Sequence, residues 1–565
     1  MKILLLAHAF NGLTQRLFCT LRAAGHEVSL ELDIADAVTE EAVALFAPDL
    51  VIAPFLKRRI PESVWSQRVC LVVHPGPPGD RGPSSLDWAL LDGVARWGVT
   101  VLQAAAEFDA GTVWGWRAFD VPRGVTKAEL YRGAVNDAAV AAVLEALQRF
   151  VPGQAVPASR PALPAERGGW RPLVTREQRT IDWTQDDSAR VLAKARSADG
   201  FPGATAAIDG VPCRVFDLHE AEGRAPPGRA VARRGPALRV GTRDGSVWVG
   251  HLRRLDRGDA VAALKLPAVS LLDAAALPEE AVPLHRAAGW DELRYEEAGG
   301  VGWLEFDFHN GAMSERQCRR LVAALREIRA RAPRVLVLAG GGSFFSNGIH
   351  LHEIEAATHR EGDSAADASL RNIEAIDDVV LELLTLTNCL TVAALRGNAG
   401  AGGCFVALAA DQVWAAPGVV LNPHYKNMGN LYGSEYWTYT LPRRVGDAAA
   451  KAVMQRRLPT TGAEAAASGL VDACFGADAP SFEIEAHARA VQLAAATDLP
   501  LRLQAKAARR TADEAAKPLA AYRAAELERM KKSFYGFDPS YHVARHHFVH
   551  RKPHAWTPRH LALHR

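Results

Sequence analysis

Clustered charge, paired cysteines and long apolar runs are all missing from this sequence, and each absence removes a class of function. Its 565 residues carry 66 Lys and Arg against 64 Asp and Glu, a net charge of +2. That balance lacks the basic footprint of a nucleic-acid binder, and no nucleic-acid partner is expected. The seven cysteines (Cys19, Cys70, Cys213, Cys318, Cys389, Cys404, Cys474) are scattered, with no CxxC pair. Such spacing argues against a cysteine zinc site or a disulfide framework and suits a reducing compartment. Nowhere do eighteen apolar residues run together, so no membrane partner is expected. The opening MKILLLAHAF has an apolar stretch too short for a signal peptide and reads as a buried first strand. The expected compartment is the cytoplasm. No internal repeat is visible.

What is there is more than one domain's worth of ordinary globular sequence, 48% apolar and 23% charged. Up to about residue 150, short apolar runs (Ile3–Ala7, Leu50–Pro54, Val69–Val73) alternate with amphipathic segments such as Gln15–Ala24 and Glu40–Phe46. This predicts an open α/β sheet with central parallel strands, whose ligands gather beyond the strands' carboxyl ends. From Val151 to Gly169 the chain turns rich in Pro, Ala and Arg, a linker composition. Short strands follow, including Ala204–Ile208 and Val211–Phe216 around an Asp209-Gly210 turn, so a small β-rich domain is expected. After a second loose stretch, Asp273–Gly289, the α/β pattern returns with strands at Gly300–Phe308, Val335–Leu338 and Leu390–Leu395. The Ala-rich stretch Thr511–Ser533 is expected to be one helix packed on the surface.

The strand at Val69–Val73 runs directly into HPGPPGDRGPSSLDWAL, placing His74 at a strand's end before a Gly/Pro-rich loop. A second loop, in QAAAEFDAGTVWG, carries Asp109. An imidazole beside a carboxylate stabilises a developing oxyanion and moves the proton that acyl transfer relocates. Two unrelated loop residues would be the bland reading. The two segments resemble the signature loops of the 10-formyltetrahydrofolate transformylases, and IDWTQDDSARVLAKARSADGFPGA is similar to the start of the methionyl-tRNA formyltransferase C-terminal domain. The resemblance implies that His74 and Asp109 flank the formyl group, with Arg81 and Gly82 in the cofactor-binding loop. The family usually carries Asn two residues before the His, where this chain has Val72. Asn11, Gln15, Arg132 and Ser197 are the candidates by location for cofactor contacts, and Asn11 reads equally as a helix cap.

Two further glycine-rich loops follow strands: Gly340-Gly341-Gly342-Ser343-Phe344-Phe345-Ser346-Asn347-Gly348-Ile349, then Gly397-Asn398-Ala399-Gly400-Ala401-Gly402-Gly403-Cys404 at the start of a helical run. Small residues let backbone amides approach a ligand, and a helix N-terminus adds favourable partial charge. Either loop alone reads equally as tight packing. Together they resemble the crotonase (enoyl-CoA hydratase/isomerase) superfamily, which implies that the Ile349 and Gly402 amides hold a CoA thioester, with Ala401 beside it. The hydratases' two catalytic carboxylates align with Phe405 and His424, so water addition is not expected. LNPHYKNMGNLYGSEYWTYTLPRRVG supplies other acid–base groups: His424, Tyr425, Glu435 and Tyr439. Glu435, between aromatic residues, is expected to be a desolvated and therefore stronger base. This stretch, with FDFHNGAMS at Phe306–Ser314, resembles the HypX hydrogenase maturation factors more than a generic crotonase.

His542, His546, His547 and His550 crowd the C-terminal region at helical spacing. No carboxylate or cysteine cluster accompanies them in sequence, so no metal is expected. Arg551, with Arg545 and Lys552, reads as a phosphate-facing surface for CoA or as a solvated basic tail.

The resemblances imply three parts: 1–165, a Rossmann-like formyltransferase catalytic domain; 166–275, a formyltransferase C-terminal-like, OB-like β domain; and 285–565, a crotonase-like CoA-binding domain with C-terminal helices. They imply an enzyme that passes the formyl group of 10-formyltetrahydrofolate to coenzyme A and decarbonylates formyl-CoA to carbon monoxide for nickel–iron hydrogenase. Hydrogenase maturation proteins are then candidate partners. The alternatives are an amine or amino-sugar formyltransferase joined to a separate acyl-CoA enzyme, or to a CoA-binding module without turnover.

Overall fold

A computed structural model describes residues 1–164, 168–255, 261, 263–281, 284 and 290–565. The chain forms three six-stranded sheets in succession. The first follows from the apolar runs at its start: β1 (Lys2–Ala7), β2 (Glu27–Leu32), β3 (Leu50–Phe55) and β4 (Cys70–His74), then β5 (Arg96–Gln103) and β6 (Val113–Asp120), in the order β2-β1-β3-β4-β5-β6. β1 to β4 pair in parallel, while β5 and β6 are antiparallel additions. Side chains alternate across a strand, and β1 is covered on both faces. Ile3, Leu5 and Ala7 join the core under α1 (Gly12–Ala23), whereas Leu4 and Leu6 pack with Ala42 and Phe46 of α2 (Asp36–Phe46). That double burial is why the run reads as continuously apolar.

The second sheet is antiparallel and turns at Asp209-Gly210 as expected; Asp209 has φ +50° and Gly210 φ +79°. The third combines Leu293–Ala298, Val301–Phe306, Val335–Gly340, Leu390–Leu395, Gln412–Ala415 and Ala473–Cys474, parallel except for the first strand. A smaller four-stranded sheet pairs Phe344–Ser346 with Asn398–Gly400, and the latter with Val420–Asn422. This small sheet fastens the two glycine-rich loops to each other.

Two expectations are corrected. Thr511–Ser533 is not one helix: helices Leu499–Ala516 and Leu519–Tyr535 meet at Lys517-Pro518. Pro518 has no N–H for the ladder, and its ring disfavours helical backbone at Lys517. Nor is Val151–Gly169 only a tether, since Gly168 N donates to Pro78 O at 3.0 Å and Arg81 N to Gly169 O at 3.2 Å, bracing the loop after β4. Residues 165–167 of that stretch, and 282–283 and 285–289 of Asp273–Gly289, lie outside the described residues, as do the expected boundaries at 165/166 and 285. Among the described residues no helix is long and apolar enough to cross a membrane.

The chain folds back on itself. Residues 557–565 run along the sheet edge at β2, where Leu30 N donates to Leu561 O at 2.9 Å and Leu32 N to Thr557 Oγ1 at 2.8 Å. Buried Glu31 collects Thr557, His564 (2.7 Å) and Arg565 (3.0 Å). Burial would raise the Glu31 carboxyl, but these donors outweigh it and hold it below the usual range. Its contribution to stability is therefore present above the unfolded carboxylate pKa of about 4.3 and lost as pH falls through the lower folded value. We expect Glu31→Ala to cost about 3–5 kcal/mol, because it strands buried partners, and to speed hydrogen exchange at 557–565. Unchanged exchange there would show that this clip does not hold the segment.

Candidate active site

His74 closes β4 and is 5% exposed. The loop beyond it turns through Pro77–Asp80, and Gly79 takes φ +91°. This returns Asp80 to the ring, with Oδ2 2.8 Å from His74 Nε2. Gly76 is required at this point, since an added Cβ would lie 2.1 Å from that same oxygen. On the other side Asp109, itself at φ +55°, places Oδ1 3.5 Å from His74 Nδ1, an ion-pair distance beyond good hydrogen-bond geometry. Gly82 N donates to Asp109 Oδ2 at 3.2 Å. An imidazole carrying hydrogen on both nitrogens faces both carboxylates; a neutral ring serves one as donor. The sequence reading paired His74 with Asp109 and passed over Asp80, although it stands in the same loop six residues on. Only the turn brings it back.

The candidates for cofactor contacts lie in different places. Asn11 caps α1, its Oδ1 accepting from Thr14 N at 3.0 Å, while its Nδ2 donates to Tyr131 OH at 3.3 Å. Gln15 donates to Phe10 O and accepts from Asn422 Nδ2 at 2.9 Å, reaching the crotonase-like half. Arg81 pairs with Glu107 at 2.8 Å. Ser197 is fully buried and donates to Lys194 O in its own helix. Arg551 lies over the Phe201 ring and donates to Gly200 O at 3.2 Å. Arg132 sits in a π-helical turn, Tyr131–Val135, the kind of local irregularity that often marks a functional position. Its guanidinium donates to Asn310 Oδ1 at 3.1 Å and lies over the Phe344 ring. Asn347 Nδ2 in turn donates to Asn310 O. A single side chain thus links the first sheet's helix to the loop that ends at Ile349.

Around this link lies a cavity of about 230 Å³ whose walls come from all three sheet regions, among them Glu129, Arg132, Asp199, His219, His309 and Phe344. Its floor is a buried charge cluster that sequence spacing could not reveal. Asp217 accepts from His219 (2.7 Å) and contacts His251 (2.9 Å), and Lys265 Nζ lies 2.8 Å from His309 Nε2. Burial pushes Lys265 down to about 8 and Asp307 up to about 6.

The second constellation is built by close backbone approach. Helix Gly402–Leu408 begins at Gly402, whose N–H is one of the orphan amides of a helix start. An added Cβ at Gly403 would lie 2.1 Å from Ser346 O, so the two loops touch only because Gly403 has no side chain. Ala401, at φ +47°, precedes the helix and donates to Asn422 O. Ile349 follows Gly348, whose own added Cβ would come within 3.3 Å of Gly402 N. Glu435 reaches this point from the other side. It is 2% exposed, at φ +64°, with Oε1 2.6 Å from where a Gly402 Cβ would stand. Tyr425 donates its hydroxyl to Glu435 Oε2 and stacks on Phe405.

Burial pushes Glu435 up to about 7, even though bonds from Tyr425 and Ser434 oppose the shift. Burial and the neighbouring Glu435 raise Tyr425 well above the ordinary phenol value. Two carboxyls not anticipated from the sequence stand behind it. Asp377 accepts from Glu435 N at 2.7 Å and is raised by burial and by the charge of Glu435; Glu526 accepts from Tyr436 N at 2.9 Å and is pushed up to about 7. They come from helices far along the chain, with no local signal. His424 is buried with neither ring nitrogen hydrogen-bonded among the described residues, and burial takes it down to about 4. Tyr439 lies elsewhere, bonded to Asp513 and Arg510. Gly402→Ala should push the held Glu435 carboxyl aside, costing about 1–3 kcal/mol as overpacking does. Denaturant unfolding measures this, and an unchanged midpoint would mean the carboxyl is not pinned there.

Comparison with known proteins covers the regions that carry both constellations. Residues 28–147 match the Formyl transferase family, 173–263 the Formyl transferase C-terminal domain, and 298–559 the Enoyl-CoA hydratase/isomerase family. Methionyl-tRNA formyltransferase of Geotalea uraniireducens is 24% identical over 240 residues, 41% of this chain and 75% of that protein. Hydrogenase maturation factor HoxX of Bradyrhizobium diazoefficiens is 52% identical over 577 residues, covering 100% of this chain and 97% of that protein. HypX of Aquifex aeolicus, solved in complex with tetrahydrofolic acid, matches with a TM-score of 0.94 at 44% identity, covering 100% of this chain and 99% of that one. Full-length likeness at this level, with both loop systems in place, means that the chain belongs to the HypX/HoxX family of hydrogenase maturation factors.

Proposed function

We propose that this chain transfers the formyl group of 10-formyltetrahydrofolate to the thiol of coenzyme A and then splits formyl-CoA into carbon monoxide and CoA. The observation that carries this reading is the buried Tyr425–Glu435 pair set against Gly402, an acid and a base beside the amide expected to hold the thioester.

In the first half-reaction the CoA sulfur attacks the formyl carbon, and the bond to the folate nitrogen breaks. His74, held between Asp80 and Asp109, donates to the oxygen that becomes negative and moves the proton from thiol to leaving nitrogen. The two carboxylates compensate the imidazolium, and near-complete burial strengthens each of these interactions. In the second half-reaction the Ile349 and Gly402 amides hold the thioester oxygen. Glu435 takes the formyl hydrogen as a proton, the carbon–sulfur bond breaks, and Tyr425 protonates the sulfur. Glu435 then returns its proton to Tyr425 through the hydrogen bond they already share. Atoms balance: formyl-CoA yields CO and CoA, with no oxidant or reductant. Raised to about 7, Glu435 is a stronger base than an ordinary carboxylate.

Arg132 supports a role in carrying CoA between the sites. Its guanidinium lines the cavity together with Arg294 and can donate to a phosphate oxygen there. The CO formed is proposed as the ligand of nickel–iron hydrogenase, with the maturation proteins as recipients.

Incubation of the protein with 10-formyltetrahydrofolate and CoA should release tetrahydrofolate and headspace CO, both dependent on CoA. Formylation of an added amine, with no CO, would replace this reading. His74→Ala should lower tetrahydrofolate release by about 10²-fold or more, whereas Glu435→Gln should leave release intact and remove CO. Glu435→Gln also deletes a charge beside Asp377 and Glu526, so its unfolding midpoint should not fall. CO formation should rise with pH through about 7 as Glu435 ionises. A flat profile, or full CO output from Glu435→Gln, would exclude it as the base.

A further inference from the structure

The C-terminal histidines do have a carboxylate partner, contrary to the sequence expectation. Glu355, nearly two hundred residues earlier in the chain, lies under them in helix Leu351–Ala357, 3% exposed. Its Oε1 is 3.2 Å from His546 Nδ1 and 3.0 Å from His550 Nε2. The two histidines are four residues apart, and His550 N donates to His546 O, so both rings leave the same helical face with centroids 4.2 Å apart. The other oxygen, Oε2, is occupied by buried Arg545 Nε at 2.7 Å.

We propose that Glu355, His546 and His550 bind one divalent transition-metal ion of the zinc type, a site separate from both constellations described above. All three donor atoms lie within 4.8 Å of one another. In a tetrahedral zinc site with bonds near 2.0–2.1 Å, neighbouring ligand atoms stand about 3.3 Å apart. The two measured separations to Oε1 are already within a few tenths of an ångström of that, so an ion enters with small ring rotations. Two imidazole nitrogens and one carboxylate oxygen select a borderline ion over Mg²⁺ or Ca²⁺, which take oxygen ligands. The histidine side chains remain 46% and 31% exposed, leaving room for entry and for water as a fourth ligand. Arg545 holds the carboxylate from behind, the orienting partner such sites use. The other His/Asp group, Asp217–His251–His309, is a poorer cation site because the Lys265 ammonium sits on His309.

An ion here would cross-link helix Ser540–Val549 to the helix that begins just after Ile349. The proposal stands independently of the formyl-transfer reading. Its test uses untagged full-length protein, stripped with chelator, desalted and titrated with Zn²⁺ against a chromophoric competitor. A parallel titration with Co²⁺ reads the visible ligand-field bands. One Zn²⁺ per chain is expected, with affinity reduced about tenfold or more in His546→Ala and in His550→Ala and unchanged in His547→Ala. Co²⁺ bands should show nitrogen ligation that either active variant abolishes. Absence of stoichiometric Zn²⁺ binding, or equal binding by the parent and the His546→Ala/His550→Ala double variant, would overturn the site and leave these contacts as ion pairs only.

Discussion

A few partly buried polar contacts set how the two halves of this chain align. Gln15 to Asn422 and Arg132 to Asn310 join the first sheet's helices to the crotonase-like loops. Residues 557–565 return to cover the edge at β2 around Glu31. Each of these groups is expensive to bury alone and takes a partner more than a hundred residues away. Their satisfaction therefore specifies one docking geometry, where apolar contact alone would tolerate several.

The same docking encloses charge. Glu435, Asp377 and Glu526 cannot all ionise cheaply in one dry pocket, and their raised affinities for protons follow from burial and mutual repulsion. The hydrogen bond from Tyr425 and the backbone N–H groups of Ser434, Glu435 and Tyr436 keep the group in place despite that cost. A pocket under this tension is suited to proton transfer. At the other end His74 is balanced by carboxylates on both sides of its ring. Two sites in one interior thus solve opposite electrostatic problems. One sets carboxylates on both sides of an imidazole and the other keeps a carboxyl protonatable near neutrality.

What local sequence determines by itself is legible here because its physics is local. The buried strand at Ile3–Ala7, the Asp209-Gly210 turn, His74 at a strand end and the glycine loops around Ile349 and Gly402 follow from periodicity, turn chemistry and steric allowance within a few residues. The helix break at Pro518 is equally local, although its Ala-rich surroundings by themselves favour continuous helix. Tertiary structure alone decided the rest. Asp80 meets His74 through a turn. Asp377 and Glu526 reach Glu435 from distant helices, and Glu355 finds His546 and His550 across nearly two hundred residues. Such partners share no spacing along the chain, since what selects them is the cost of leaving a buried charge unpaired, and that cost exists only once the fold has removed the water.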